Sequence, residues 1–418
     1  MLNMPFSSID SPDMRRAGRD LLSLALMDAR NHTLHLVGQY ESALANLAIA
    51  RPDATTLNPP LWTLGHVGWF QERWLGRNLQ RQLGTACDPS AARLASIEPQ
   101  ADAWWDSSLG GAPQRWSLRL PGAGAIKTYL LETLESTLEL LEKSPEDDQA
   151  LYFFRLALFH EDMSGEHLVT LAQTLGLSLN LGSPGPVLTQ PPLRVPATRW
   201  RLGQGGAFRE ADGFTFDNER PVHEVQVPEF EIDAQAVSWA QFVEFVDDGG
   251  YDRPELWHPE GWAWAQNQTN GESRRAPRYV HQIGVASGAV MQTRFGTTRR
   301  MLGGQPAMHV SWWEADAWCR WAGRRLPSEV EWELAAHSVV RRNFRWGDVW
   351  EWVGTTFRAY PGFVADPDVA YSVPAFGSHK VLRGASFATR ARMKNPKFRN
   401  FALPENDEIF VGFRSCSL

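Results

Sequence analysis

Cysteine is scarce in this chain of 418 residues. Cys87, Cys319 and Cys416 stand far apart and form no CxxC pair. That excludes a disulfide framework and suits a reducing cytoplasm, where the protein is expected to reside. A surplus of basic residues is also missing: 41 Lys+Arg face 48 Asp+Glu, a net charge of -7. Without a basic footprint no nucleic-acid partner is expected. No apolar run approaches the ~18 residues a membrane span needs. The opening MLNMPFSSIDSPDMRR lacks a basic segment followed by an apolar one, so no secretory signal is expected. Internal repeats and low-complexity tracts are absent too.

What is present is ordinary for a globular protein, 43% hydrophobic and 21% charged residues, which argues against disorder. At roughly 100–200 residues per domain the length predicts two or three domains. Aromatic usage is lopsided: 19 Trp against 7 Tyr, with many Trp beyond residue 238 in short Gly- and Pro-rich segments.

The two halves differ in pattern. Residues 12–182 carry apolar residues at helical spacing in four stretches: Met14–Leu47 (Leu22, Leu26, Leu36, Tyr40, Leu44, Leu47), Leu61–Leu79 after Pro59-Pro60, Gly124–Lys143, and Asp147–Leu175. Four amphipathic segments with breaks between them predict a four-helix bundle. Gly176–Pro196 is rich in Gly, Pro and Ser and cannot continue a helix, so a linker is expected, centred on 183–197. Residues 198–418 predict short strands (Val222–Val227, Phe230–Ile232), short helices (Ser238–Val246, Ser311–Ala322) and long aromatic loops. In Arg324–Trp332, Ser328 and Glu331 have capping-box spacing.

Of eleven histidines, His32 and His35 sit about one turn apart on the first helix, where surface or cap roles are expected. His66 and His160 differ. His66 lies among Trp62, Trp69 and Phe70, and His160 lies deep in an apolar helix. Bundles build metal sites from side chains on facing helices. A third ligand is unsettled. Ser164, four residues after His160, is a poor one, and His167 lies on the same face but about 10.5 Å along the axis. Glu161, Asp162 and Glu166 point off that face.

HVGWFQERW and the downstream HEDM resemble the DinB-like domain of the ergothioneine-type sulfoxide synthases. The second half resembles the formylglycine-generating-enzyme-like, C-type-lectin-like fold through DNERPVHEVQVPEFEID (217–233), PAMHVSWWEADAWCRWAGRRLPSEVEWELAA (306–336), WGDVWEW (346–352), YPGF (360–363), VLRGASFAT (381–389) and FRNF…IFVGFR (398–414). The resemblance covers nearly the whole chain from about residue 20 and implies an α+β protein of two domains. It implies a mononuclear non-haem Fe(II) enzyme that uses O2 to join a chalcogen to C2 of the imidazole of hercynine. The family's metal ligands fall on His66, His160 and Ser164, so either water or His167 is expected to stand in at the third position, or the chain is altered at Ser164.

Further departures bear on the second substrate. Relatives that use γ-glutamylcysteine read RNWD with an Arg four residues beyond the Asp. Here RNFALPEN puts Ala402 in the Asp slot and Asn406 in the Arg slot. Neither can pair with a dipeptide's charged groups. The pattern is closer to selenoneine synthases, which take a selenosugar. Asn400 and Phe401 match positions near the hercynine carboxylate. Asp366 and Asp368 lie where the family has a tyrosine, leaving Tyr360 and Tyr371 as candidate catalytic residues. Two alternatives stand beside this reading: a sulfoxide synthase with a thiol donor, and a non-catalytic binder with a degenerate metal site. A copper-dependent formylglycine generator is excluded by the lack of a close Cys pair.

Overall fold

The computed structural model describes residues 8–43, 51–52, 55–205, 213–268, 273–284, 289–338 and 343–418. Leu44 and Leu47, expected on the first helix, lie outside them. The bundle consists of Arg19–Ala43, Pro60–Gln71, Ala123–Glu142 and Asp148–Leu175. Three of the termini have a clear local cause. Pro60 occupies the first turn of its helix, where its missing N–H costs nothing. Asp147 accepts the Ala150 N–H as an N-cap. Gly176, at φ 68°, closes the last helix in the left-handed conformation that favours glycine. The second helix runs on into a π-helical turn at Glu72–Gly76, short of the expected Leu79. The long connection before Ala123–Glu142 carries two short helices, Ala101–Trp105 and Ala112–Arg115, that the apolar pattern did not suggest.

The last helix is buried on nearly every side from Ala150 to Phe159. Its expected polar face is covered by the second domain, whose Phe214 and Phe216 rings pack against Phe159. That domain is built on small sheets. In one, Trp350–Thr356 pairs antiparallel with Lys380–Gly384 and parallel with Val411–Phe413, and Asn400–Ala402 lies outside Lys380–Gly384. The second sheet has the order Leu193–Val195, Phe230–Ile232, Cys416–Ser417, Arg324–Arg325. An antiparallel pair (Thr198–Leu202 with His223–Val227) and a three-stranded meander (Val280–Gly284, Ala289–Arg294, Thr297–Met301) accompany them. Ser238, Ser311 and Ser328 all cap helices through reciprocal capping boxes. The abundant tryptophans fill the core: Trp239, Trp332 and Trp352 are fully buried.

Buried charges join the two domains. Arg15 holds Glu219 at 2.6 and 2.8 Å, and Arg392 holds Asp162 at 2.6 and 2.9 Å. Breaking such a pair leaves an uncompensated charge, at about 3–5 kcal/mol. Among the described residues no helix is long and apolar enough to cross a membrane.

Candidate metal centre at the domain seam

The second bundle helix can reach its neighbours because it carries glycine at two contact points. A Cβ on Gly65 would lie 2.0 Å from the Trp105 ring, and one on Gly68 2.9 Å from Tyr129. Between them, His66 is held on three sides. Trp62 and Trp69 stack on it at 4.5 and 5.4 Å between ring centres. Its Nδ1 lies 2.8 Å from the Trp105 carbonyl oxygen. A carbonyl only accepts, so Nδ1 carries the proton and Nε2 keeps its lone pair.

His160 stacks on Phe70 at 3.7 Å and meets His66 edge-on, with ring centres 5.1 Å apart. Two imidazoles that share one ion at a metal–nitrogen distance of about 2.1 Å stand roughly this far apart. Burial holds His66 at a pKa of about 4 and pushes His160 well below its usual range, with the proximity of His66 adding to that. Both are therefore neutral at physiological pH, the form a metal needs. The pair thus fits a divalent first-row metal in proton state and spacing.

The third position is different. His167 accepts the Asn58 N–H at Nε2, at 3.0 Å, and lines a neighbouring cavity of about 170 Å³ instead. Burial also lowers its pKa to about 4. The Ser164 hydroxyl donates to the His160 carbonyl at 2.9 Å. Among the described residues no three His, Cys, Asp or Glu side chains converge as a metal group. The carboxylates near His160 are committed elsewhere: Glu161 to Arg30, Asp162 to Arg392, and Glu166 to Trp350, Ser386 and Thr389. His32 and His35 join no metal group either.

Met163 separates two cavities. On the His167 side the wall includes Asn400 and Trp350, so the expected carboxylate-binding residue faces the seam. On the His160 side are Phe70, Tyr152, Tyr371 and three carboxylates, Asp217, Asp366 and Asp368. Asp366 is paired with Arg220 and accepts the Tyr152 hydroxyl. Burial and the nearby Asp217 raise Asp368 to a pKa of about 7. Tyr371 Oη lies 3.9 Å from Met163 Sδ, and burial keeps its hydroxyl protonated. Tyr360 sits apart from this cluster: it donates to Glu329 at 3.1 Å, and the Arg399 guanidinium lies 3.9 Å above its ring.

Strand Asn400–Ala402 divides the seam from a larger cleft of about 440 Å³, lined by Phe401, Ala402 and Asn406 together with Trp264. Asn406 accepts the Glu408 N–H and shapes the turn there. Arg274 and Arg278 also border the cleft, but both are spent on acids, Arg274 on Glu314 and Asp407, Arg278 on Asp407.

Two functional features had no sequence signal. The Trp105 carbonyl orients His66 through the backbone, which no residue pattern reveals. Asp217 reaches the Asp366–Asp368 loop only through the tertiary fold.

Comparison with known proteins gives the chain's relations. Residues 25–174 match the DinB superfamily, and residues 194–348 and 345–417 match the sulfatase-modifying factor enzyme 1-like domain. A hercynine oxygenase of Mycolicibacterium smegmatis is 31% identical over 95% of this chain and 98% of its own length. Another, from Mycolicibacterium thermoresistibile, is 30% identical over 94% of each chain. A formylglycine-generating enzyme of Streptomyces coelicolor is 34% identical over 56% of this chain and 92% of its own.

Proposed function

The chain belongs to the hercynine oxygenase family, and from that premise we propose that it is an Fe(II)- and O2-dependent oxidoreductase joining the selenium of a selenosugar to C2 of the hercynine imidazole. The observation that carries the metal reading is the neutral His66–His160 pair, 5.1 Å apart, with His66 fixed through the Trp105 carbonyl. These two residues would hold the iron, with the remaining positions left to water and substrates. Bound there, Fe(II) supplies the electrons and open positions that O2 chemistry requires.

The chain's own groups do the rest. The Asn400 amide donates to the hercynine carboxylate. A quaternary ammonium donates no hydrogen bond and is held by aromatic faces at about 0.5–2 kcal/mol per contact, for which Trp350 and Phe398 stand in the same cavity as Asn400. Tyr371 is the better candidate of the two tyrosines for a proton at the reacting centre. It borders the His160 cavity and touches Phe401 edge-on at 5.7 Å, so it bridges the metal side and the donor side.

The donor cleft favours a sugar. Its arginines are already paired, and Ala402 and Asn406 offer no charge to a dipeptide. Burying a dipeptide's carboxylates without partners would cost several kcal/mol, and about 1.4 kcal/mol is tenfold in affinity. Trp264 and neutral amides suit hydroxyl groups instead.

Product mass spectrometry with hercynine, O2 and Fe(II), offering a selenosugar in competition with γ-glutamylcysteine and cysteine, tests both parts. The selenosugar product should dominate, and Ala402→Asp with Asn406→Arg should move preference towards the dipeptide. Comparable kcat/KM for the dipeptide in the unaltered enzyme overturns the selenium assignment. It leaves the thiol-donor reading, an ergothioneine-type sulfoxide synthase. Hercynine binding without turnover on any donor favours a non-catalytic binder, a reading to which the missing third ligand lends support.

A further inference from the structure

Around a cavity that shares no lining residue with those beside His160 and His167, the meander ends in arginines that make no ion pair among the described residues. Arg294 closes strand Ala289–Arg294, and Arg299 and Arg300 lie on the strand that returns, Thr297–Met301. Gln292 faces Arg299 across the pair and Arg294 faces Thr297, so Arg294 and Arg299 share one face of the hairpin. All three border a cavity of about 170 Å³. Its opposite wall is Ser183 and Pro184, from the segment that leaves the bundle, and Gln305.

Arg294 is only 8% exposed. Among the described residues it makes no ion pair. Among them its one hydrogen-bond partner is the Met308 sulfur, a weak acceptor, and its Nε has none. Burial without a partner pulls its pKa down to about 10. Other deeply buried arginines in this chain, such as Arg15, Arg30, Arg383, Arg399 and Arg414, each hold a carboxylate. Arg294 is the exception among them. A buried guanidinium left unpaired is costly, and an anion entering the cavity removes that cost. Arg299 and Arg300 are exposed at its mouth and likewise make no ion pair among the described residues.

We propose that this cavity is a phosphate site, in which Arg294 from within, Arg299 and Arg300 from the rim and the Ser183 hydroxyl receive a phosphate dianion, free or as a monoester. Arg294 and Arg299 on one face, with Arg300 at the mouth, call for more than one negative charge. A phosphate monoester carries about -1.5 to -2 at pH 7, whereas a carboxylate would leave most of the positive charge uncompensated. Planar guanidinium forks also match phosphate oxygens. The site lies where the domains are fastened. Gln173 of the last bundle helix bonds Thr293 and Phe295 in the same hairpin, and Gln305 holds the Pro184 carbonyl. A bound phosphate therefore tightens the segment between the domains.

The test is calorimetric titration of the full chain, metal-loaded and metal-stripped, with inorganic phosphate, glucose 6-phosphate and acetate, paired with melting curves. One phosphate should bind per chain in both metal states and raise Tm, while acetate should not compete. Arg294→Met should abolish this binding and, without phosphate, melt no lower than the unaltered chain. Arg299→Gln with Arg300→Gln, both at exposed positions, should weaken it at least tenfold. Binding of glucose 6-phosphate as tight as that of inorganic phosphate marks a monoester site, and weaker binding marks a site for the free ion. Phosphate binding lost on metal removal, acetate binding equally well, or the rim double variant binding like the unaltered chain would each overturn the proposal. Should Arg294→Met fail to fold, the rim variant decides alone.

Discussion

Gly65→Ala isolates the link between packing and the metal pair. The added Cβ would sit 2.0, 2.2 and 2.4 Å from Cε2, Nε1 and Cζ2 of Trp105. These atoms belong to a rigid indole stacked on Tyr129 at 5.2 Å and 1% exposed, so Trp105 cannot swing aside as a lysine tip would. Either the helix shifts or Trp105 moves out. Overpacking of this kind costs about 1–3 kcal/mol. In a domain of roughly 150–250 residues each kcal/mol lowers Tm by about 2–4 °C. Trp105 also supplies the carbonyl that fixes the His66 tautomer. Loss of such a supporting bond typically reduces metal affinity about 10–100-fold. We therefore expect Gly65→Ala to lower Tm by several degrees and to weaken Fe(II) or Co(II) binding at least tenfold in direct titration. His66 itself remains unchanged. Metal affinity within twofold of the unaltered chain, alongside a lowered Tm, would refute the argument that the Trp105 carbonyl orients the ligand.

The third ligand position and the acidic cavity give two further predictions. Ser164→His places imidazoles at i, i+4 on one face and should raise metal affinity and stoichiometry, whereas His167→Ala, which removes only the acceptor for Asn58, should leave metal content nearly unchanged; the reverse pattern would make His167 the working ligand. Asp368 keeps its proton to about pH 7 when folded but ionises near 3.9 when unfolded, so its contribution to stability is complete below about pH 4 and lost as pH rises through 7. Up to ~4 kcal/mol is at stake, less because the group is partly exposed, and Asp368→Asn in the metal-stripped chain should raise Tm at pH 8 and not at pH 4; equal gains at both would show that its charge is not the cause.

Local signals were legible in the sequence, and long-range ones were not. The composition shift over 176–196 separates the helical half from the rest, and the Ser328–Glu331 spacing announces a cap that the fold forms, because both depend on neighbours along the chain. The proximity of His66 and His160 was foreshadowed by their aromatic surroundings on two helices expected to face each other. His167 was harder. What engages its Nε2 is the Asn58 N–H, in a loop itself held by Arg115 bonding Asn58 Oδ1, 57 residues away. The same holds for Tyr360, which motif position suggested for chemistry and whose partners, Glu329 and Arg399, come from distant segments.

The helix Asp148–Leu175 explains why the position of His160 and domain docking are inseparable here. With 3.6 residues per turn, positions 160, 163, 164 and 167 share one face, 162 and 166 a second, and 161 a third. The first face meets the seam cavities, where Met163 divides them. The second grips the other domain, Asp162 through Arg392 and Glu166 through Trp350, Ser386 and Thr389. The third anchors the bundle core, where Glu161 and Gln71 hold the Arg30 guanidinium at 2.8 and 2.6 Å. Gln71 follows Phe70, the ring on which His160 stacks. A rotation that moved His160 by one residue's worth of arc would therefore break the Arg30 network and the Arg392 pair together, at several kcal/mol for each buried charge left alone. His160 is placed by this three-way constraint, with no hydrogen bond of its own required. The absent third imidazole costs the helix nothing in position, since the Ser164 hydroxyl turns back to the His160 carbonyl.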